Sequence, residues 1–322
     1  MGKSKGGQLN MEVKIPEQQL ELNKPKSSLW EKWYRQLRPH TLTAAFVPVS
    51  IGTALALLDG SVNILLFMAM LLASILIQAA TNLFNEYYDY KRGLDTEESI
   101  GIGGGIVRDG ISPKTILNVA LSFFAAAILL GVYICASSSW WIAAIGIVCM
   151  ITAYFYTGGP YPIAYSPYGE IVAGFFMGVV IILISYFIQS GSISLESFLI
   201  SIPISILIGA ILLSNNIRDL DGDKKSGRRT LAILLGRENA IKFLAGMFAV
   251  SYIWVIILMA FGIVSPWLFI VFGSLPKAIK AVQGFKGKTL PIQMMPAMKA
   301  TAQTNTIFGF LVAAGILISY WV

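Results

Sequence analysis

The sequence predicts an all-α, polytopic membrane protein with nine transmembrane helices. Three observations carry this. Of 322 residues, 56% are apolar and only 13% charged, about half the charged share of a soluble domain. Runs of roughly twenty apolar residues, the length one bilayer crossing needs, recur from Thr43 to the C-terminus. Every Lys and Arg falls on one side of the membrane once these runs are threaded through it alternately.

Residues 1–28 are polar and Lys-rich with few aromatics, and read as a disordered cytoplasmic tail. Residues 29–322 are expected to form the transmembrane domain. Its first segment, WEKWYRQL from Trp30 to Leu37, reads as a short amphipathic helix on the membrane surface. The expected spans are 43–59, 62–86, 115–134, 139–157, 170–190, 198–217, 240–261, 265–282 and 300–322. The first apolar run follows a long polar stretch, unlike a cleavable signal peptide.

The 24 cations sort into four groups. One group precedes the first span. Lys91, Arg92, Arg108 and Lys114 lie between spans two and three. Arg218, Lys224, Lys225, Arg228, Arg229, Arg237 and Lys242 lie around the start of span seven. Lys277, Lys280, Lys286, Lys288 and Lys299 lie between eight and nine or at their margins. With the N-terminus cytoplasmic, all 24 face the cytoplasm, and the C-terminus is outside. The opposite loops (ASSS, GSISLES, GIVSP) are short and almost uncharged. The net charge of +7 therefore reads as a topology signal, with no nucleic-acid partner expected. Cys135 and Cys149 sit in or beside apolar segments and read as small core residues. With His40 the sole histidine, neither a disulfide framework nor a His/Cys metal site is expected.

Two cytoplasmic segments repeat one another. Asn82, Asn85, Asp89, Lys91 and Gly93 align without a gap with Asn216, Asp219, Asp223, Lys225 and Gly227. Positions i and i+4 share a helix face, so Asn85 and Asp89 point one way, as do Asp219 and Asp223. Two helix ends can then aim oxygen ligands into one cavity. An oxygen-only set suits Mg²⁺. That ion takes one or two carboxylates, keeps waters, and fills its shell with substrate phosphate oxygens. Neighbouring Lys and Arg would hold the phosphate oxygens left over. The blander reading is a helix end dressed with charge. Two gapless copies on one face count against it, because carboxylates so near a membrane core are costly.

Gly103, Gly104 and Gly105 allow close backbone approach or a flexible lid, or serve as a linker, with Arg108 beside them as an anion contact. A third cytoplasmic loop carries Tyr154, Tyr156, Tyr161, Tyr165 and Tyr168. These suit an interfacial aromatic belt. They equally suit a cavity wall that stabilises a cationic intermediate.

These motifs resemble the UbiA superfamily of intramembrane prenyltransferases. That family carries Asn-xxx-Asp-xxx-Asp and Asp-xxx-Asp motifs at the ends of its second and sixth helices. Asn85-xxx-Asp89 and Asp219-xxx-Asp223 match. The next acid, Asp95, lies two residues beyond the usual spacing, and Glu86 is an alternative ligand. Within the superfamily the chain is most similar to the bacterial 1,4-dihydroxy-2-naphthoate branch of menaquinone synthesis, whose first motif is stretched in the same way. The stretches Leu37–Leu42, Tyr156–Pro162 and Asn215–Leu231 carry that likeness. The 4-hydroxybenzoate branch often has a lysine after its fourth-helix tyrosine, where this chain has Gly-Gly-Pro.

The resemblance implies nine helices around a central cavity open sideways to lipid. It implies Mg²⁺ held by Asn85, Asp89, Asp95, Asp219 and Asp223, with Asn85, Lys91, Arg108, Arg218 and Lys224 at the diphosphate. Tyr154 and Tyr161 are the candidates for stabilising an allyl cation. The implied reaction joins polyprenyl diphosphate to 1,4-dihydroxy-2-naphthoate at the cytoplasmic face of the cell inner membrane. CO₂ and diphosphate leave, and demethylmenaquinone forms. Alternatives are another acceptor, such as 4-hydroxybenzoate or homogentisate, or a transporter. Carriers, however, place their charge near the bilayer midplane.

Overall fold

The structure is a computed structural model that describes residues 28–60, 62–95 and 104–321. The expected tail, apart from Ser28, and Gly103 lie outside these residues. Every regular element among the described residues is helical.

Helix α1 (Leu29–Leu37) starts in a capping box: the Glu31 amide donates to Ser28 Oγ (3.2 Å) and the Ser28 amide to Glu31 Oε2 (2.9 Å). Leu29, Trp30 and Tyr34 on it are exposed. Arg38, in the left-handed region at φ 50°, turns the chain into α2 (Pro39–Asp59), whose first residue is a proline with φ already set for a helix. Next come α3 (Ile64–Lys91), α4 (Pro113–Ser137) and α5 (Trp141–Thr157). A 3₁₀ turn (Ile163–Tyr165) leads to α6 (Gly169–Ser190) and α7 (Leu195–Lys225). The short α8 (Leu231–Leu235), then α9 (Arg237–Ala260), α10 (Pro266–Phe285) and α11 (Pro291–Trp321) complete the chain.

Among the described residues, eight helices are long and apolar enough to cross a membrane: α2, α3, α4, α6, α7, α9, α10 and α11. The remaining expected span, 139–157, is α5, an apolar helix of 17 residues, at the short limit for a crossing. The chain is a multi-pass integral membrane protein.

Two helices outrun their apolar stretches. The hydrophobic runs of α3 and α7 end near 86 and 217, but the helices continue through the acidic motifs to Lys91 and Lys225. At 28 and 31 residues they are about 42 and 46 Å long, against a hydrocarbon core of about 30 Å. The acids therefore ride on helical turns at the membrane's edge.

Packing sets these ends side by side. The larger core joins α2, α6, α7, α9, α10 and α11 around Ile51, Ile204, Val271 and Phe308. A smaller one joins α3 and α4 around Phe84, Ile116 and Ala120. Helix α6 approaches α7 through Gly174 and Gly178, in a π-helical stretch (Gly174–Val180). A Cβ on Gly178 would sit 2.5 Å from the Ser205 Cα, so only glycine permits this contact.

Candidate active site

The motif-bearing ends of α3 and α7 stand over a cavity of about 780 Å³. Its mouth is polar: Asn85, Asp89, Asp95, Asn216, Arg218, Asp219, Asp223 and Arg228 line it. Its body is apolar, walled by residues such as Ile77, Ile128, Met150, Phe176 and Ile208.

Arg228 joins the two motifs. Its Nη2 donates to Asp89 Oδ1 (3.0 Å) and its Nη1 to Asp223 Oδ1 (3.0 Å). One guanidinium thus bridges one acid from each helix. The Tyr165 ring lies 4.2 Å from the guanidinium, and its hydroxyl donates to Asp89 Oδ1 (3.1 Å). Asn85 Nδ2 donates to the other Asp89 oxygen, Oδ2 (3.0 Å). Burial foremost, together with the Asp89 charge, raises the Tyr165 phenol above its ordinary pKa, so it stays a donor. Arg92 ties α3 to the tyrosine loop by donating to the carbonyls of Thr157 (2.7 Å) and Gly159 (2.8 Å). The Arg229 amide donates to the Tyr165 carbonyl (2.9 Å), which closes the ring of loops.

Asp219 has its own cation. Arg218 grips it with two hydrogen bonds, Nε to Oδ1 (2.7 Å) and Nη2 to Oδ2 (2.5 Å). Arg218 is itself buried, its Nη1 against the Met298 sulfur (2.9 Å). Asp95 sits in the loop after α3. Burial, then the charges of Glu86 and Asp89, push its carboxyl up to about 6, against the pull of Arg38 and Arg108. A carboxyl held from ionising by burial and like charge is one that a divalent cation would stabilise. Among the described residues, no three acids, cysteines or histidines gather tightly enough to form a ready-made cation site. The donors around the mouth are nonetheless all oxygen and come from both helices, which suits a hard cation completed by substrate phosphate.

An apolar cavity with paired acids and arginines at its mouth fits an amphiphile with an anionic head. Residues 45–286 match the UbiA prenyltransferase family. The chain belongs to that family.

Among relatives, the chain is 60% identical over 296 residues to the 1,4-dihydroxy-2-naphthoate octaprenyltransferase of Bacillus subtilis (strain 168), covering 92% of this chain and 95% of that protein. It is 27% identical to the Escherichia coli (strain K12) protein of the same name, over 90% of this chain and 96% of that one. In three dimensions it is similar to a UbiA homolog from Archaeoglobus fulgidus bound to GPP and Mg²⁺. That match has a TM-score of 0.59 at 17% identity and covers 88% of this chain and 99% of that one. The apo structure of a UbiA homolog from Aeropyrum pernix K1 gives a TM-score of 0.65 at 15% identity, covering 87% and 98%. These two likenesses are of fold.

In this UbiA-family chain several expected site residues lie away from the cavity wall. Lys91 and Lys224 are exposed and do not line the cavity; Lys91 Nζ lies 6.0 Å from the Tyr87 ring centre. Arg108 is exposed and passes across Gly104, outside the cavity wall. Tyr161 is 90% exposed. Tyr154 turns away, its hydroxyl 2.6 Å from that of Tyr88 and its ring edge-on to Phe84. The reason is helical geometry: Tyr154 and Tyr156 are about 200° apart around α5, and it is Tyr156 that shares the cavity face with Met150 and Ala153. Cys135 is buried in a core cluster as expected, and both it and the half-buried Cys149 border the cavity.

Glu86, the alternative ligand, is engaged by backbone amides. Only 1% exposed, it accepts from the backbone amides of Gly104 (2.9 Å to each oxygen) and Ile106 (3.2 Å). It holds the glycine-rich loop down. Gln36 of α1, with its amide turned as its neighbours require, donates to Glu86 (3.2 Å) and accepts from the Gly105 amide (2.8 Å). The sequence offers Tyr165 only as one of five tyrosines that suit either an aromatic belt or a cavity wall. Arg228 had shown only as one cation in a charged loop, because nothing local says that this loop folds back onto α3.

Proposed function

We propose that this protein transfers a polyprenyl group from polyprenyl diphosphate to 1,4-dihydroxy-2-naphthoate, releasing diphosphate and CO₂ and giving demethylmenaquinol, which a two-electron oxidant such as O₂ converts to demethylmenaquinone. The observation that carries it is the meeting of acids and arginines from two helices at the mouth of one large apolar cavity. The acceptor follows from the relative that is 60% identical over nearly its whole length.

Asp89, Asp219 and Asp223, with Asn85 and Asp95, would hold Mg²⁺, whose Lewis acidity lowers the cost of expelling diphosphate. Arg228 and Arg218 set fixed positive charge where negative charge develops on the leaving oxygen. The C–O bond of the donor breaks and its electrons go to the diphosphate. The apolar walls keep water from the allyl cation, which would otherwise be lost as prenyl alcohol. Tyr156, an aromatic residue on the cavity wall, is the candidate to stabilise that cation. The electron-rich ring attacks the prenyl C1, and loss of its carboxyl group as CO₂ restores aromaticity. Cations cluster at the motif end of the helices, which supports a cytoplasmic active site in the cell inner membrane.

The test is to incubate purified protein with 1,4-dihydroxy-2-naphthoate, mixed prenyl diphosphates and Mg²⁺, with an EDTA control, and to weigh the products. Prenylated naphthoquinone that disappears with EDTA is expected. Product only with 4-hydroxybenzoate or homogentisate would move the acceptor. No product with any acceptor would overturn the proposal.

A further inference from the structure

Asn216 is a repeated motif position that faces the cavity and that the reaction above does not use. It lines the cavity three residues before Asp219, one helical turn deeper than the acids. Its Nδ2 donates to Glu170 Oε1 (2.8 Å). That bond commits one of the amide's two N–H donors, and the carbonyl oxygen, which makes no hydrogen bond among the described residues, is left available.

Glu170, in the first turn of α6, is an unusual carboxylate. It is 4% exposed, forms no ion pair among the described residues, and its Oε2 has no hydrogen-bond partner there. An acid near a helix N-terminus gains from the helix dipole, which accounts for an acid at this position. It does not account for an acceptor oxygen left buried and unsatisfied, which costs about 1–3 kcal/mol and more for a charged group. Tyr156 closes the same patch: a Cβ on Gly169 would come within 3.2 Å of its hydroxyl. Behind the Asn216 side chain, one turn below the diphosphate end, there is therefore a buried carboxylate that holds the amide.

The reacting ring must lie at this depth. It attacks the prenyl C1, which is bonded to the diphosphate oxygen, so it cannot sit more than about one turn from the acids. Such a ring brings hydroxyl donors. Resting on the aromatic prenyl transfer proposed above, we infer that Glu170 and Asn216 form the seat for a ring hydroxyl of the acceptor. Asn216 accepts the hydrogen bond, and Glu170 is a positioning residue that holds the amide with its carbonyl toward the cavity. The twin position shows that the arrangement is particular to this half. Asn82 points its amide at the Leu37 carbonyl (2.9 Å) and Thr41 Oγ1 (3.0 Å), and serves the α1–α2 junction.

The experiment compares wild type, Glu170→Gln and Asn216→Ala in lipid nanodiscs. Acceptor KM is measured at saturating donor, and donor KM at saturating acceptor. The thermal shift produced by prenyl diphosphate with Mg²⁺ reports donor binding without turnover. The acceptor KM is expected to rise about tenfold or more in both variants, with the donor KM and the thermal shift retained. An unchanged acceptor KM would overturn the inference. So would a parallel loss of donor affinity and thermal shift, which is what a merely structural role produces. Wild type keeps the two proposals apart. If it rejects dihydroxynaphthoate but prenylates another phenol, the acceptor assignment falls, and the seat is tested with that phenol. If it prenylates no phenol, both fall.

Discussion

The two acidic motifs match without a gap, yet they are wired differently. On α3, Asp89 takes one contact from its own helix, Asn85, and two from distant parts of the chain, Tyr165 of the tyrosine loop and Arg228 from beyond α7. On α7, Asp219 and Asp223 are each gripped by an arginine from the same segment, Arg218 and Arg228. The residues between the acids diverge further. Glu86 is spent on the backbone of the glycine-rich loop, while its counterpart Leu220 is buried and apolar. Helical spacing makes two such segments look alike. What each position does depends on what packs above it, and the α3 end is roofed by α1 and the loop, the α7 end by its own arginines.

The largest effect should come from the acids both halves share. Asp89→Ala and Asp223→Ala are each expected to lower kcat by about 10²-fold or more, measured as prenylated product. Because Arg228 bridges both acids, the double variant should cost less than the two separate losses combined. Additive losses would mean the motifs act independently. Arg228→Lys should follow with a loss of about tenfold, since one ammonium cannot reproduce the fork to two carboxylates.

The divergent positions give smaller and different effects. Asn82→Ala removes three part-buried hydrogen bonds and should lower stability by about 1–3 kcal/mol, seen as a reduced Tm with acceptor KM unchanged. Glu86→Gln weakens the charge-assisted bonds that pin the loop. It should likewise lower Tm, with more activity retained than in Asp89→Ala. The smallest effect is expected at Tyr161. Tyr161→Ala should leave turnover near wild type, whereas Tyr156→Ala, on the cavity wall, should lower it. Equal losses at the two tyrosines would restore a role for the exposed ring.

Much of this could be read from the residues themselves. Apolar runs are long because a bilayer leaves backbone polar groups no partner but the helix itself, so composition alone announces an all-α membrane protein. The i, i+4 acids announce a shared helix face, and Asn85, Asp89, Asp219 and Asp223 do line one cavity. These are local properties, set by periodicity and by the solvent the chain must satisfy.

The rest was decided only when distant segments met. Which of Tyr154 and Tyr156 faces the cavity depends on how α5 is rotated by its neighbours. Whether Glu86 is a ligand or a loop anchor depends on where Gly104 returns. Arg228 and Tyr165 enter the site because two loops close over the ends of α3 and α7. Glu170 meets Asn216 across 46 residues of sequence. A side chain's type and spacing can be read from the sequence, but its partner is chosen by packing, because the energy of a buried polar group depends on what stands within about 3 Å of it.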